Sequence, residues 1–270
     1  MRNFLFDRPD VLGEARSPVC IYPDTLARHA VKRSTLENVI CVCEKLSDDA
    51  FTQTMTEAYR TGLSRFGDAW AYADITSLLY ATAELGQPEN YLEIGVRRGR
   101  SSCMVAAASP QTTIYGFDLW QENYASNENP GPDFVLSELQ RVGHTGHTEF
   151  ISGDSHKTAP DFLSANPELS FDLITVDGDH SLEGARNDLN NVVSRLRVGG
   201  VIVFDDIDNP YCPGLLGVWE RFMSEHPELK GKVVENPLGL GVAFAIRMCM
   251  TNPAKNGKEK KGSSLWQMWR

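Results

Sequence analysis

From about residue 89 onward, short apolar and β-branched runs alternate with stretches whose apolar residues recur at helical spacing. That alternation predicts strands at Tyr91–Glu93, Thr113–Phe117, Glu149–Ser152, Phe171–Val176 and Gly200–Phe204. Helices are expected at Ser101–Ala108, Pro132–Val142, Pro160–Ala165, Leu182–Leu196 and Leu215–His226. Lys232–Glu235 and Leu240–Arg247, around Asn236-Pro237-Leu238-Gly239, read as a closing antiparallel pair. The runs at Phe171–Val176 and Gly200–Phe204 suit strands buried on both faces, as in a parallel sheet covered by helices. The expected fold is therefore α/β, a doubly wound sheet of about seven strands with a terminal antiparallel pair.

Residues 1–88 have a different pattern and are expected to form an N-terminal helical extension, serving as a lid or a dimer contact. A helix can start at Asp24-Thr25-Leu26, and Ser47-Asp48-Asp49-Ala50 is an N-cap for another. The periodic run from Trp70 to Tyr80 predicts a third helix, which stops at Gly86-Gln87-Pro88. Its aromatics suit a packed core better than a cofactor box. The catalytic domain is expected over 89–250, followed by a disordered Lys-, Gly- and Ser-rich tail over 251–270.

The net charge of −10 disfavours broad nucleic-acid binding, and no apolar run reaches the length that spans a bilayer. Six cysteines without CxxC spacing, behind an N-terminus that turns charged too soon for a secretory signal, suggest a reduced, cytoplasmic setting. A homo-oligomer, dimer or larger, is expected.

The candidate chemistry lies where the strands end. Val176-Asp177-Gly178-Asp179-His180 and Val203-Phe204-Asp205-Asp206-Ile207 would bring acidic side chains together at the carboxyl edge of the sheet, where open α/β folds bind ligands. Clustered carboxylates repel unless a cation or proton intervenes, and a hard divalent ion such as Mg²⁺ is the natural counterion. His180 is then left for proton transfer. Its alternative role is to cap the helix beginning near Ser181.

Glu93-Ile94-Gly95-Val96-Arg97-Arg98-Gly99-Arg100-Ser101-Ser102 leaves one strand and enters a helix. Gly95 and Gly99 permit close approach of a ligand to the backbone, and Ser101 lies at a helix start with free N–H groups. The motif is not GxGxxG, and its leading acid repels phosphate, favouring a cationic or amino-bearing ligand over a dinucleotide. Asp118, at the tip of the second strand, can accept from both hydroxyls of a ribose, the logic of Rossmann-like nucleotide sites. Asp154, with Ser155 beside it, either accepts from an adenine amino group or forms a helix cap. His144 and His147 form an HxxH pair without a third ligand, better read as a solvated loop.

In combination and order these motifs resemble class I S-adenosylmethionine (SAM)-dependent methyltransferases, and within them metal-dependent sugar O-methyltransferases of the macrocin and mycinamicin type. The resemblance covers roughly residues 89–250. It implies Mg²⁺ held by Asp177, Asp205 and Asp206, the amino-acid end of SAM near Glu93 and Gly95, and its ribose at Asp118, with Asp177 also among the residues expected to contact the cofactor. The base would be Asp179 or His180. The implied activity is methyl transfer from SAM to a hydroxyl of a small molecule, with a sugar moiety of a natural product or polysaccharide as the leading acceptor. His180 stands where catechol-type relatives carry a Lys, which disfavours a catechol. The rival readings are hydroxylase-type or nicotinamide chemistry on the same fold, and a non-catalytic cofactor-binding partner. Acceptor selectivity is expected from the N-terminal segment and the loop Glu122–Pro132, with Trp120, Tyr124 and Tyr211 as candidate pocket residues.

Overall fold

The computed structural model describes residues 21–122, 129–235 and 240–248. Seven strands form one sheet: β1 (Asn90–Ile94), β2 (Thr113–Asp118), β3 (Thr148–Ser152), β4 (Phe171–Val176), β5 (Leu196–Asp205), β6 (Leu229–Val234) and β7 (Val242–Arg247). Their order is β3-β2-β1-β4-β5-β7-β6. The first five run parallel, and β7 pairs antiparallel with both β5 and β6. The doubly wound sheet with its closing antiparallel pair is thus as expected. Strand order reverses between β1 and β4, which opens a crevice at their carboxyl ends.

Two apolar clusters sandwich the sheet, and successive strand residues feed opposite sides. Tyr91, Leu173, Val203 and Phe244 face one cluster, while Leu92, Ile174, Phe204 and Ala243 face the other. The second cluster is completed by α7 (Ser155–Ala165), α8 (Leu182–Val193) and α9 (Leu215–Glu225). The first holds α5 (Arg100–Ala108) and α6 (Pro132–Arg141) together with α1 (Pro23–Ala30), α2 (Arg33–Cys43), α3 (Ala50–Phe66) and α4 (Ile75–Gly86). The N-terminal helices therefore share the core of the sheet. Leu78 and Leu79 of α4 have no exposed surface, each worth about 2 kcal/mol of burial. A Leu79→Ala change would cost about 3 kcal/mol through the cavity it leaves.

Three elements differ from the sequence reading. The Trp70–Tyr80 helix begins only at Ile75, because Asp74 accepts from the Thr76 and Ser77 N–H groups and closes a capping box with Ser77. Trp70 and Tyr72 precede it as a stacked pair with ring centroids 5.0 Å apart, and Trp70 fills the space a Cβ would need at Gly62. The helix expected from Pro160 starts five residues earlier, capped by Asp154, and continues through Pro160. Helix α2 has no counterpart in the sequence reading. The expected tail at 251–270, Tyr124 and the turn at Asn236–Gly239 lie outside the described residues. Among the described residues, no helix is long and apolar enough to cross a membrane.

Candidate active site

The carboxyl edge of the sheet opens into a cavity of about 840 Å³, within the usual range for small-molecule sites. The tips of β1, β2 and β3 supply Gly95, Asp118 and Gly153–Ser155 to it, and the tips of β4 and β5 supply Asp177–His180, Asp205 and Asp206. The remaining wall comes from α3 and the start of α4, through Phe51, Met55, Tyr72 and Asp74.

Asp177 and Asp206 bracket His180. The imidazole Nε2 lies 3.2 Å from Asp177 Oδ1, and Nδ1 lies 3.4 Å from Asp206 Oδ2. One ligand atom from each of the three falls within 4.8 Å of the others, a separation one cation can span. Asp205 lines the same cavity but stands outside this trio, so the gathered set differs from Asp177, Asp205 and Asp206. Asp206 is held in a left-handed conformation at φ +59°, and it accepts from Asn209 Nδ2 at 2.9 Å.

The electrostatics follow from crowding and burial. Burial raises the Asp205 pKa well above the carboxylate range, and the charges of Asp177 and Asp206 add to it. Burial and then Asp177 raise Asp206 as well, against a hydrogen bond from Asn209. For His180, burial pulls the pKa down, but the hydrogen bond and charge of Asp177, with Asp206 and Asp179, outweigh it and leave a net rise. Two carboxylates on one imidazole favour its cation. A divalent ion at the hard carboxylate oxygens of Asp177 and Asp206 would take over that charge balance and leave the imidazole neutral, so the donor chemistry fits Mg²⁺.

Asp179 is engaged differently. Its carboxylate accepts from the Ser181 N–H at 2.8 Å and the Ser181 hydroxyl at 3.0 Å. Helix α8 is capped by Ser181, whose Oγ accepts from Gly184 N–H at 3.0 Å, and not by His180. Asp118 accepts from the backbone N–H groups of Arg97 and Trp120, at 2.7 and 2.6 Å, and from Asn129 Nδ2 at 3.0 Å. Asp154 caps α7 through the His156 N–H at 3.1 Å, while its neighbour Ser155 donates to Asp188 Oδ1 at 2.8 Å.

Several sequence candidates do not face the cavity. Glu93 is fully buried, and its carboxyl accepts from the Ser101 and Ser102 hydroxyls. Burial pushes its pKa up to about 8, despite those two hydroxyl donors. Glu93 and Ser101 thus tie β1 to the start of α5. Gly99 is filled by a neighbour: a Cβ there would lie 2.4 Å from Val135 Cγ1. Gly95, by contrast, does line the cavity; at its φ of +90° a Cβ would lie 1.9 Å from the Asp177 carbonyl oxygen, so the missing side chain lets the β1 and β4 tips meet. Trp120 packs edge-on against Phe150, and Tyr211 is 91% exposed away from the cavity. His144 Nε2 lies 2.8 Å from the Thr112 carbonyl oxygen and ties its loop to β2.

The sequence reading missed Asp188 and the α3 wall. Asp188 is fully buried on α8, and beyond its bond to Ser155 it lies 3.6 Å from His156 Nε2. It links α8 to the start of α7, just after β3. An aspartate on the inward face of an amphipathic helix is the signal that could have revealed it.

A family model described as a methyltransferase domain matches residues 92–207. The fold is similar to that of the O-methyltransferase NovP, at 17% identity and a TM-score of 0.55, covering 79% of this chain and 98% of that one. It is also similar to the O-methyltransferase TomG from Streptomyces achromogenes, involved in tomaymycin synthesis and solved in complex with SAM. There the identity is 22% and the TM-score 0.52, with 76% of this chain and 92% of that one covered. No curated protein sequence matches significantly.

Proposed function

We propose that the chain transfers the methyl group of SAM to a hydroxyl oxygen of a small molecule, because a family model described as a methyltransferase domain matches residues 92–207 and the sheet has the seven-stranded order with a closing antiparallel pair. A sugar moiety is the leading acceptor and Mg²⁺ the assisting ion. The observation that carries this reading is the convergence of Asp118, Asp177, His180 and Asp206 on one cavity at the strand-order reversal. Asp118 is the ribose acceptor, with Gly95, Asp154 and Ser155 along the remainder of the cofactor. Asp177 and Asp206, with Asp205 lining the same cavity, are the residues that would hold the ion. SAM supplies an electrophilic methyl group, and Mg²⁺ would lower the pKa of the acceptor hydroxyl.

His180 takes the proton as the new oxygen–carbon bond forms and the carbon–sulfur bond breaks. Asp177 keeps the ring oriented through Nε2, and the same carboxylate stabilises the imidazolium that results. Asp179 is spent on Ser181, which favours His180 as the base. The α3 wall excludes water and aligns oxygen, carbon and sulfur, an effect worth several kcal/mol. Cys41, Cys43, Cys103 and Cys212 are free thiols, which supports a reduced, cytoplasmic setting.

Calorimetric titration of S-adenosylhomocysteine tests the cofactor: binding is expected in the wild type and lost in Asp118→Ala. Asp206→Ala should keep that binding while losing Mg²⁺-dependent methyl transfer. A folded wild-type protein that does not bind S-adenosylhomocysteine would overturn the reading. Retained transfer in Asp206→Ala would remove the ion from it, and binding without any transfer would leave a non-catalytic partner protein.

A further inference from the structure

We propose that Arg97 and Arg100 form an anion-binding subsite that holds an acidic group, carboxylate or phosphate, of the methyl acceptor. This rests on the methyl-transfer reading and narrows it to acidic acceptors.

Both arginines line the cavity. The Nε of each is buried and has no hydrogen-bond partner among the described residues. Leaving such a donor unmet costs about 1–3 kcal/mol, more when it is charged. Arg98, between them in sequence, is placed differently: it lies 3.7 Å from Asp49 and over the Phe134 ring at 4.6 Å.

Arg97 is anchored through its backbone and Arg100 through its guanidinium. Arg97 has φ +50°, and its N–H is fixed on Asp118 at 2.7 Å. Arg100 begins α5 and stacks over Phe51 of α3, 4.5 Å from the ring centroid. Stacking fixes the guanidinium plane and leaves its N–H edge free to meet an oxyanion. Burial, and after it the charge of Arg100, disfavours the Arg97 charge, while Asp177 and Asp49 favour it. An anion between the two cations would remove that repulsion.

The acids of the cavity do not supply this anion. Asp74, Asp118, Asp154 and Asp179 accept hydrogen bonds from other groups, Asp177 and Asp206 bracket His180, and no described carboxylate, Asp205 included, is hydrogen-bonded to either Nε. The SAM carboxylate is the other possible source. Arg100 lies against α3, the wall the strand tips do not build, and this points to the acceptor.

The test is calorimetric titration of inorganic phosphate, with a chelator present, into protein saturated with S-adenosylhomocysteine. Saturable binding is expected in the wild type and should weaken about tenfold or more in Arg97→Gln and in Arg100→Gln. S-adenosylhomocysteine affinity should change less than about threefold in both. Absence of phosphate binding to the wild type, or binding indifferent to both substitutions, overturns the subsite. A tenfold loss of S-adenosylhomocysteine affinity in both variants assigns the arginines to the cofactor and also overturns it. If Arg100→Gln does not fold, Arg97→Gln decides alone, since Arg97 has no stacking contact with α3. A wild type that fails to bind S-adenosylhomocysteine refutes methyl transfer, and phosphate titrated into the unliganded protein then still decides the subsite.

Discussion

Replacing Glu93 with Gln should flatten the dependence of stability on pH. Glu93 has no exposed surface, and burial raises its pKa from the ordinary 4.5 to about 8, against the Ser101 and Ser102 hydroxyls. Between those values the folded chain keeps a proton that the unfolded chain has released. Stability therefore falls as pH rises, by about 1.4 kcal/mol per pH unit, and the full gap is worth about 5 kcal/mol. This contribution is complete below pH 4.5 and gone once pH has passed about 8. Gln fills the same space and cannot ionise. Urea unfolding of wild type and variant from about pH 5.5 to 7.5 should show the wild type losing about 2.5 kcal/mol relative to Glu93→Gln. At an m-value of about 3 kcal/mol/M that is a relative midpoint shift of about 0.8 M. The difference between the two proteins cancels His180, whose raised pKa also removes stability as pH rises, and the Asp205–Asp206 pair. Profiles parallel to within about 0.5 kcal/mol would refute the reasoning, because Glu93 would then be ionised in the folded protein at ordinary pH.

Other perturbations probe the site and its support. Gly95→Ala places a Cβ 1.9 Å from the Asp177 carbonyl oxygen at a φ of +90°, and should cost at least about 3 kcal/mol in unfolding experiments; a loss under about 1 kcal/mol would mean the two strand tips separate freely. Glu138→Ala strands the Ser47 N–H and hydroxyl, each 2.7 Å from a carboxylate that is 2% exposed, and should cost about 2–4 kcal/mol; near-neutral behaviour would show that this tie between the N-terminal helices and α6 adds little. With a chelator present, NMR titration of His180 should give a midpoint above 6.5, because Asp177 and Asp206 outweigh burial, and Asp177→Asn should lower it; a wild-type midpoint at or below 6.5 contradicts the geometry.

What the sequence determined by itself was local. The apolar runs at Phe171–Val176 and Gly200–Phe204 marked strands because a chain buried on both faces needs apolar or β-branched side chains at nearly every position. The acids directly after those runs had to lie at the carboxyl edge of the sheet, since a strand end fixes the residues that follow it. The Asp49 cap was readable for the same reason: its carboxylate meets an N–H three residues away, at 2.9 Å. Tertiary packing decided where the remaining side chains point. Glu93 and Gly99 belong to a motif that reads as ligand-facing, yet one turns to Ser101 and Ser102 and the other receives Val135. Phe51 and Arg100 meet across about half a hundred residues, and Ser155 meets Asp188 across 33. Periodicity and capping carry no information about such pairs. Their geometry exists only once the helices and the sheet have closed around one cavity, where burial sets which charges stay paired and which are left to meet a ligand.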